Sequence, residues 1–401
     1  MNHRKRATVV IGAGFGDEGK GLMTDYHCAR QPGAIVVRFN GGAQAGHTVQ
    51  RHDGTRHVFH HFGAGMFAGA GTFLSRFFIV NPLLWQRETI ELSEPGQVPP
   101  RLLIDREAPM TTPYDMLINQ ELESARGASR HGSCGIGINE TINRCRHPDL
   151  ATWVRDIEHP AALRATLLAI RDHVPVRLAA DGVGKPSDLA ARVLASDAVI
   201  ENFMGIAGHM RDAAMLTDVA MLAMADAVVF EGAQGLLLDE HHRFYPHVTH
   251  SRTGLPNVAA IAGEIGIAEL DVTYVTRAYA TRHGAGPFPT EDPGMSFPDP
   301  TNVPNEFQGD LRFGALDLDL MKQAIDNDAT PGFTLNRTLA ITCMDQMPDN
   351  VRVRLQGVDR VVGRDMLPEL VQAAVGIPVG YLSNGPARDD VRLYAPEVAG
   401  R

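Results

Sequence analysis

The residues of this chain with the clearest chemical signature lie near its amino terminus, in a glycine-rich stretch that also contains two acids and a lysine. Asp17, Glu18 and Lys20 stand among the glycines of residues 14–21, shortly after the apolar, β-branched run at residues 7–10. A strand that breaks into glycines and resumes as a helical pattern is typical of a phosphate-binding loop. Because two carboxylates would repel a phosphate, the composition favours a metal ion between them.

Position 21 departs from the common form of such a loop. From Gly14 the sequence satisfies G-x-x-x-x-G-K, but Gly21 stands where a serine or threonine hydroxyl ordinarily ligates Mg²⁺. The missing hydroxyl leaves the metal short of one ligand, and we expect the carboxylate of Asp17 to replace it. The alternative is a glycine-rich turn that happens to precede a lysine.

Two further glycine-rich, polar segments also follow strand patterns. Residues 40–48 and residues 232–235 each come directly after a buried strand pattern. Since the carboxyl ends of parallel strands meet at one edge of a sheet, we expect His47 and Gln234 to face the same crevice as the phosphate loop. An imidazole flanked by glycines suits acid–base chemistry, and an amide suits reading a base edge.

Residues 239–250 contain four histidines, which makes a metallohydrolase a competing interpretation. Their spacing matches neither H-E-x-x-H nor an i,i+4 pair before a carboxylate, and the Tyr-Pro at residues 245–246 would interrupt a helix. Thr249 and Arg252 in the same segment are better suited to an anion. The pattern therefore favours anion binding over a zinc site.

The overall composition limits the class of protein. The chain has 401 residues, 44% hydrophobic content and a net charge of −10, which allows a large core and argues against nucleic-acid binding. No stretch approaches about 18 apolar residues, so no membrane span is expected. The four cysteines show no C-x-x-C spacing, and the amino terminus lacks the apolar segment of a signal peptide. We therefore expect a cytoplasmic protein.

The order of strand and helix patterns predicts an α/β protein with a mostly parallel central sheet, a P-loop-like phosphate loop and flanking helices. We interpret residues 1–401 as one domain, with a helical insertion at about residues 150–226. Residues 73–82 predict a strand ended by Asn81-Pro82. Residues 127–146 predict a loop of small residues with basic side chains behind it, which either wraps a phosphate or is a flexible surface loop.

Five blocks of sequence, in this order and over nearly the whole length, resemble the adenylosuccinate synthetases. They are GDEGKG at residues 16–21, GGAQAGHT at 41–48, FEGAQG at 230–235, YPHVT at 245–249 and TRHGAGPFPTE at 281–291. One such block alone is weak evidence, whereas five in register are specific.

The resemblance implies ligation of L-aspartate to a 6-oxopurine nucleotide, normally IMP, driven by GTP hydrolysis with Mg²⁺. In that family the residue matching Asp17 removes the N1 proton of the base and binds Mg²⁺, together with the carbonyl matching Gly46. The residue matching His47 acts as the acid beside the γ-phosphate. O6 of the base attacks that phosphate, and the aspartate amine then displaces the phosphorylated oxygen. Lys20 and the loop N–H groups would stabilise the transferring phosphoryl group.

The resemblance also assigns residues to each bound molecule. The donor nucleotide would contact Gly16, Glu18, Gly19, Lys20, Gly21, Gly46, His47, Thr48, Asp345, Ser383, Gly385 and Pro386. The purine monophosphate would contact Asp17, Gln44, Ser133, Cys134, Arg144, Gln234 and Thr249, with Gln234 also counted among the catalytic side chains. Arg312 and His283 would hold the aspartate. Either Arg144 or Arg146 matches the arginine that reaches across the family's dimer interface, so a homodimer is expected.

The chain departs from the family pattern at several of these positions. Ala-Gln at residues 43–44 replaces His-Asn, which lengthens the contact near the base by one methylene. Cys134 replaces a hydroxyl of the phosphate loop, and Cys343 replaces the lysine of the Lys-x-Asp that reads guanine, which puts strict GTP preference in question. The loop that grips aspartate is shortened to residues 308–312, leaving Arg312 as the carboxylate partner.

Two alternatives follow from these departures. The first is the same chemistry on another purine nucleotide such as dGMP, or with ATP as donor, since short forms of this kind resemble archaeal and phage members. Phage relatives that act on dGMP tend to lose the loop aspartate, so the retention of Asp17 favours IMP. The second is a catalytically silent nucleotide-binding homologue, which the joint retention of Asp17, Lys20 and His47 argues against.

Overall fold

The computed structural model describes residues 5–93, 102–127, 133–299, 301–302 and 310–395. The strands are β1 (Lys5–Gly12), β2 (Ala34–Arg38), β3 (His47–Gln50), β4 (Arg56–Phe59), β5 (Gly71–Leu74), β6 (Leu102–Asp105), β7 (Met215–Thr217), β8 (Ala227–Gly235), β9 (Ile267–Arg277), β10 (Ala280–His283), β11 (Leu311–Gly314), β12 (Leu316–Asp317), β13 (Thr334–Thr342), β14 (Asn350–Leu355), β15 (Val358–Gly363), β16 (Val379–Ser383) and β17 (Val391–Leu393). The α-helices are α1 (Lys20–Cys28), α2 (Pro82–Leu92), α3 (Pro113–Arg126), α4 (Ile138–Cys145), α5 (Pro160–Ala180), α6 (Asp188–Leu194), α7 (Asp197–Ala213), α8 (Leu255–Glu264), α9 (Leu318–Asn327) and α10 (Leu367–Val375).

A large central sheet organises these elements. It has 10 strands in the order β17-β16-β13-β9-β1-β8-β2-β5-β6-β7. Neighbouring strands run parallel except at the edge, where β17 is antiparallel to β16. The sheet and its flanking helices confirm the predicted α/β fold.

The strand that precedes the phosphate loop lies in the middle of this sheet. β1 pairs with β8 on one side and with β9 on the other. Val9, Val10 and Ile11 are each 0% exposed. Because both faces of β1 are covered, the strand is a continuous apolar run and not an alternating pattern. The loop after β1 therefore emerges at the centre of the carboxyl edge, beside the segments that follow β2, β8, β9 and β13.

The helical insertion forms as predicted and also contributes a strand to the sheet. Helix α5 buries a stripe of side chains spaced three or four apart, which are Leu163, Leu167, Ile170, Val174 and Leu178. After α7, the short strand β7 pairs with β6 at the sheet edge, which the helical spacing did not predict. The interpretation of the chain as one domain stays a prediction.

The strand expected over residues 73–82 is correct only for residues 73–74. β5 ends at Leu74, and Asn81 caps α2, where its Oδ1 accepts hydrogen bonds from two backbone N–H groups of the first turn. Pro82 takes the first helical position, where a missing N–H costs nothing. This Asn-Pro pair therefore begins a helix instead of ending a strand.

The loop expected over residues 127–146 contains helix α4. The helix follows Gly137, whose φ of 80° places it in the left-handed region, and Arg144 lies in its last turn. Residues 128–132, which belong to the same expected loop, lie outside the described residues.

Over the described part of the chain, no helix is both long enough and apolar enough to cross a membrane. Cys28, Cys134, Cys145 and Cys343 are free cysteines.

Candidate active site

The side chain of Glu18 fills the inner side of the phosphate loop. Its Oε1 accepts hydrogen bonds from the N–H groups of Gly14 and Gly16 at 2.8 and 2.9 Å, and its Oε2 lies 2.9 Å from Nζ of Lys20. A Cβ on Gly12 would lie 2.2 Å from Glu18 Oε2, so this glycine makes room for the carboxylate. Lys20 is only 4% exposed and faces an acid of its own loop. The phosphates of a ligand must therefore use other donors first.

The outer side of the loop is held by side chains from three other strands or strand ends. The carbonyls of residues 16–18 accept, in that order, from Thr281 Oγ1 at 3.2 Å, from Nε of Arg277, and from Thr342 Oγ1 at 2.8 Å. These bonds support a φ of 60° at Asp17, a left-handed conformation that is costly outside glycine. The loop that presents Asp17 is therefore preformed by its own chain.

The second loop packs directly on the first turn of α1. A Cβ on Gly21 would lie 2.7 Å from the carbonyl oxygen of Thr48 and 3.2 Å from Cβ of His47. There is no room for the serine or threonine that usually follows the lysine of a phosphate loop. The hydroxyl is absent because the backbone of the His47 loop occupies its place.

His47 stands against a buried carboxylate. Its Nδ1 lies 2.7 Å from Oε1 of Glu231, and Oε2 of Glu231 lies 3.7 Å from Nε of Arg38. Burial lowers the pKa of His47 to about 4, although Glu231 opposes this. Burial alone would raise the pKa of Glu231, but His47 and Arg38 hold it below its ordinary value. At pH 7 the unliganded pair is thus a neutral imidazole beside a carboxylate.

Two glutamine amides carry buried oxygens that have no hydrogen-bond partner among the described residues. These are Oε1 of Gln44 and Oε1 of Gln234. The segments that hold them are joined, because the side chain of Asn40 and the backbone of Ala233 exchange hydrogen bonds of 3.0 and 2.7 Å. An unpaired buried polar atom costs about 1–3 kcal/mol, so a ligand with suitable donors would be bound favourably here.

His283 from β10 lies beside Asp17, with 3.9 Å between its Nε2 and Oδ2 of Asp17. The same Nε2 is 3.1 Å from Oδ1 of Asn302, whose Nδ2 donates to Asp299. Because a carboxylate only accepts, Asn302 must turn its oxygen to the imidazole, so Nε2 of His283 carries a proton. The side chain of Asp17 is 27% exposed and therefore open to a ligand.

Arg312 is engaged by its own chain. Its Nη1 donates to the carboxylate of Glu291 at 2.8 Å, and its Nη2 donates to the carbonyls of Gly284 and Gly286 at 2.9 Å. A substrate carboxylate would have to replace Glu291 to take the bidentate position expected from the sequence. Residues 308–309 of the same expected loop lie outside the described residues.

Arg144 does not reach outward, which corrects one of the two expectations for a cross-subunit arginine. It is buried, and it donates to both carboxylate oxygens of Asp115 at 2.8 and 2.9 Å and to the carbonyl of Met110. Arg146 is exposed, and its Nη2 lies 3.0 Å from Nε2 of His250. Of the two arginines, Arg146 is the one that a partner subunit could contact.

The segment before α4 adjoins the second loop. A Cβ on Gly42 would lie 2.8 Å from the side chain of Ile138, at the start of the helix. Ser133 and Cys134 stand just before that point and are half-buried, and burial raises the pKa of the Cys134 thiol to about 11. Thr249 is also half-buried. It lies in the segment after β8, where its N–H donates to the carbonyl of Leu238.

The residues assigned to the donor base follow two adjacent parallel strands. β13 and β16 pair in parallel, so Asp345 and Ser383 lie at the same sheet edge as the phosphate loop. Ser383 Oγ donates to the carbonyl of Gly385 at 2.6 Å, while Asp345 and Pro386 are exposed. A bridge joins the end of β3 to the residue after Pro386, so this segment also touches the His47 hairpin.

The chemistry of Asp17 and Gly46 fits a hard divalent cation. Both are accessible, and a carboxylate and a backbone carbonyl are the oxygen donors that Mg²⁺ prefers. No group of three or more His, Cys, Asp or Glu residues within the described ranges is arranged to hold a metal, and this includes the histidines of residues 239–250.

Sequence reasoning missed the buried charges that position the site. Three charged residues lie in strands whose other residues are mostly apolar: Arg38, Glu231 and Arg277. A charge within such a strand is the signal that could have revealed them. A buried acid with a structural role, Glu88, was missed as well: it accepts the backbone N–H groups of residues 60–61 at 2.8 and 2.6 Å.

The chain matches the family model described as "Adenylosuccinate synthetase" over residues 9–359. It is 31% identical to an adenylosuccinate synthetase of Ralstonia pickettii over 445 aligned positions, which cover 97% of this chain and 96% of the relative. It is 30% identical to that of Xylella fastidiosa over 359 aligned positions, which cover 85% of this chain and 79% of the relative.

Two solved structures share the fold at lower sequence identity. A fully ligated adenylosuccinate synthetase of Plasmodium falciparum superposes with a TM-score of 0.76 at 17% identity, over 97% of this chain and 100% of that one. A cyanophage S-2L succinoaminodeoxyadenylate synthetase, bound to dGMP and dATP, superposes with a TM-score of 0.59 at 18% identity, over 97% of this chain and 95% of that one. Together with the match to the family model, these likenesses agree with the arrangement of loops around the sheet edge. The chain belongs to the adenylosuccinate synthetase family, whose members are ligases of purine biosynthesis.

Proposed function

We propose that this protein joins L-aspartate to C6 of IMP, with hydrolysis of GTP to GDP and phosphate, through a 6-phosphoryl intermediate. The observation that carries the proposal is that Asp17, His47 and Gln234 meet at the carboxyl edge of the central strands, on loops that contact one another. Membership of the family supplies the reaction class, and the retained side chains supply the groups that this reaction needs.

Asp17 takes the N1 proton of the purine while O6 attacks the γ-phosphate. A base is effective when its position is fixed, and a well-placed proton acceptor contributes about 10²–10⁴-fold. The left-handed backbone at Asp17 and the bond from Arg277 to its carbonyl fix that position. The unpaired oxygens of Gln44 and Gln234 accept hydrogen bonds from the purine nucleotide.

The phosphates of the donor lie against the start of α1 and the His47 loop. The N–H groups of Gly14 and Gly16 are taken by Glu18, so those of residues 19–21, at the positive end of the helix, receive the anion. His47 acts as the acid there, because the negative charge of a polyphosphate opposes the effect of burial and favours its protonated form. Lys20 adds positive charge from behind the loop.

Mg²⁺, when bound by Asp17 and Gly46, would neutralise charge on the phosphates and so assist their transfer. His283 and Arg312 bind the second substrate, L-aspartate, on the far side of Asp17. The proposal includes a cytoplasmic homodimer in which Arg146 reaches the partner's site.

A second candidate is the same ligation on dGMP, with ATP or dATP as donor. It is supported by Cys343, which stands where a lysine stem would pack on guanine and which has a left-handed φ of 59°. A half-buried thiol cannot replace that stem, and desolvation raises the pKa of Cys343, so it stays uncharged. The cyanophage enzyme, whose structure contains dGMP and dATP, has the same fold.

Product formation by mass spectrometry separates these candidates. Mg²⁺ and L-aspartate are held fixed while IMP, dIMP, GMP and dGMP are each combined with GTP and with ATP. Adenylosuccinate from IMP and GTP is the expected result. A succinylated product from dGMP alone would favour the second candidate, and the absence of any nucleotide- and aspartate-dependent hydrolysis would contradict both.

A further inference from the structure

The environment of His47 contains a carboxylate whose two oxygens are used in different ways. Oε2 of Glu231 accepts the N–H of Ala64 at 3.2 Å and lies near Arg38, whereas Oε1 lies 2.7 Å from Nδ1 of His47. Glu231 and His47 are 0% and 5% exposed, so water does not compete for this contact. The backbone and the arginine hold one oxygen, and the other is left to the imidazole.

Strand register explains how a carboxylate reaches this position. Arg38 of β2 and Glu231 of β8 are direct partners across neighbouring parallel strands. Arg38 is itself fixed, because its Nη1 donates to the carbonyl of His60 at 2.9 Å and its guanidinium lies over the ring of Phe78. A carboxylate buried beside a fixed guanidinium stays ionised without moving.

We propose that Glu231 is the positioning residue of His47, and that it fixes the ring so that Nε2, and not Nδ1, meets the donor nucleotide. An ionised carboxylate can only accept, so the proton on its side of the ring must be on Nδ1. The partner of one ring nitrogen sets the chemistry of the other. Both ring nitrogens are buried and neither makes a well-aligned hydrogen bond among the described residues, but Nδ1 lies 2.7 Å from Oε1 of Glu231, which leaves Nε2 for the ligand. This inference rests on the proposed role of His47.

A purely structural role for Glu231, as the counter-charge of Arg38, is the competing explanation. Glu88 shows what such a role looks like, because it is also buried and interacts with Arg38. Its oxygens accept the backbone N–H groups of residues 60–62 and lie 3.7 and 3.4 Å from ring nitrogens of His57 and His61, which have no assigned role in the site. Glu231 differs in that one oxygen faces a side chain of the site. Glu88 is therefore the matched control.

The first test needs no turnover. Histidine labelled with ¹⁵N in the wild-type protein reports the tautomer of His47 through its two ring nitrogen shifts, assigned with His47→Gln. The expected result is a proton on Nδ1, with Nε2 as the nitrogen whose shift moves when GDP and Mg²⁺ are added. A proton on Nε2 alone in the unliganded protein, or a response to GDP confined to Nδ1, would overturn the inference even if ligation is confirmed.

The second test separates positioning from structure. Glu231→Gln keeps the shape but replaces the obligatory acceptor by an amide that can also donate, so the tautomer preference should be lost. Turnover should fall by about 10²-fold or more, as when the orienting carboxylate of a triad is made an amide, while KM for L-aspartate stays within about 3-fold. Glu88→Gln should leave the His47 spectrum unchanged. An unaltered spectrum and turnover in a folded Glu231→Gln protein would contradict the inference, and wild-type inactivity on every nucleotide would contradict only the proposed function.

Discussion

The two loops that meet at the sheet edge satisfy their polar groups in opposite ways. In the phosphate loop, Glu18 binds N–H groups from inside while side chains of distant strands bind the carbonyls of residues 16–18 from outside. In the second loop, Oε1 of Gln44 and Nε2 of His47 are buried without a partner in the described part of the chain. The first loop is therefore completed by its own protein, and the second is left to be completed by ligands.

The largest effect is expected at the one residue of the phosphate loop whose side chain remains open. Asp17→Asn should reduce ligation by about 10³-fold or more, because an amide neither accepts the N1 proton nor binds Mg²⁺ well. Since its backbone anchors are untouched, the melting temperature and the affinity for GDP should change little. Steady-state kinetics measures the loss of ligation, and calorimetry measures the melting temperature and the affinity for GDP. Substantial residual turnover would contradict the role of Asp17 as the base.

Gly21→Ser tests whether the two loops are mechanically coupled. A Cβ there would meet the carbonyl of Thr48 at 2.7 Å, so the second loop must move, and a shift of about 1 Å can cost about 10²-fold in turnover. Gly208→Ser on α7, where a Cβ meets nothing within 4 Å, is the control and should be silent. If Gly21→Ser gains activity through a restored hydroxyl ligand, the steric explanation for the missing hydroxyl is wrong.

A buried carboxylate away from both loops provides a reference for pH dependence. Asp328 accepts from the N–H of Leu255 and from the hydroxyl of Tyr274, and burial raises its pKa to about 6. The folded state then holds this proton more tightly than the unfolded chain, so the contribution of Asp328 to stability falls as pH rises from about 4 to 6.

Denaturant unfolding at pH 4, 5, 6 and 7 tests this reference. Between pH 4 and pH 6, the unfolding free energy of Asp328→Asn should rise relative to that of the wild type by about 1–3 kcal/mol. Glu264→Gln, at an exposed position, should show no such shift. A difference independent of pH would show that Asp328 is already ionised at pH 4.

The smallest effect is expected for a single anchor of the phosphate loop. Thr342→Val keeps the shape but leaves the carbonyl of Glu18 without its hydroxyl donor, which should cost about 1 kcal/mol in unfolding free energy. KM for the donor should rise by a few-fold. Thr338→Val on the same strand is the control for the loss of a threonine hydroxyl. Full tolerance would mean that the remaining anchors hold the loop without Thr342.

Local pattern was enough to predict much of this site. The sequence predicted the strand–loop–helix at residues 7–26 and the polar loops after β2 and β8, because their signals lie within a few adjacent residues. It misread Asn81-Pro82, since the same dipeptide can end a strand or begin a helix. It left Arg144 and Arg146 open as the cross-subunit arginine, because nothing near Arg144 in sequence indicated Asp115 as its partner.

The remaining errors share a cause, which is pairing between distant segments. Arg277 of β9 donates to the carbonyl of Asp17, which lies 260 residues earlier in the chain. Arg38 and Glu231 are partners only through the register of β2 and β8. Such contacts follow from strand order, and a single sequence does not reveal strand order.

The residues that hold the phosphate loop in place are synthesised long after the loop itself. The side-chain donors that hold the loop follow it by 260 to 324 residues in the chain. Its strand lies between two strands that are also made much later. A nascent chain that ends before residue 342 therefore carries the nucleotide motif without the full set of bonds that shape its loop.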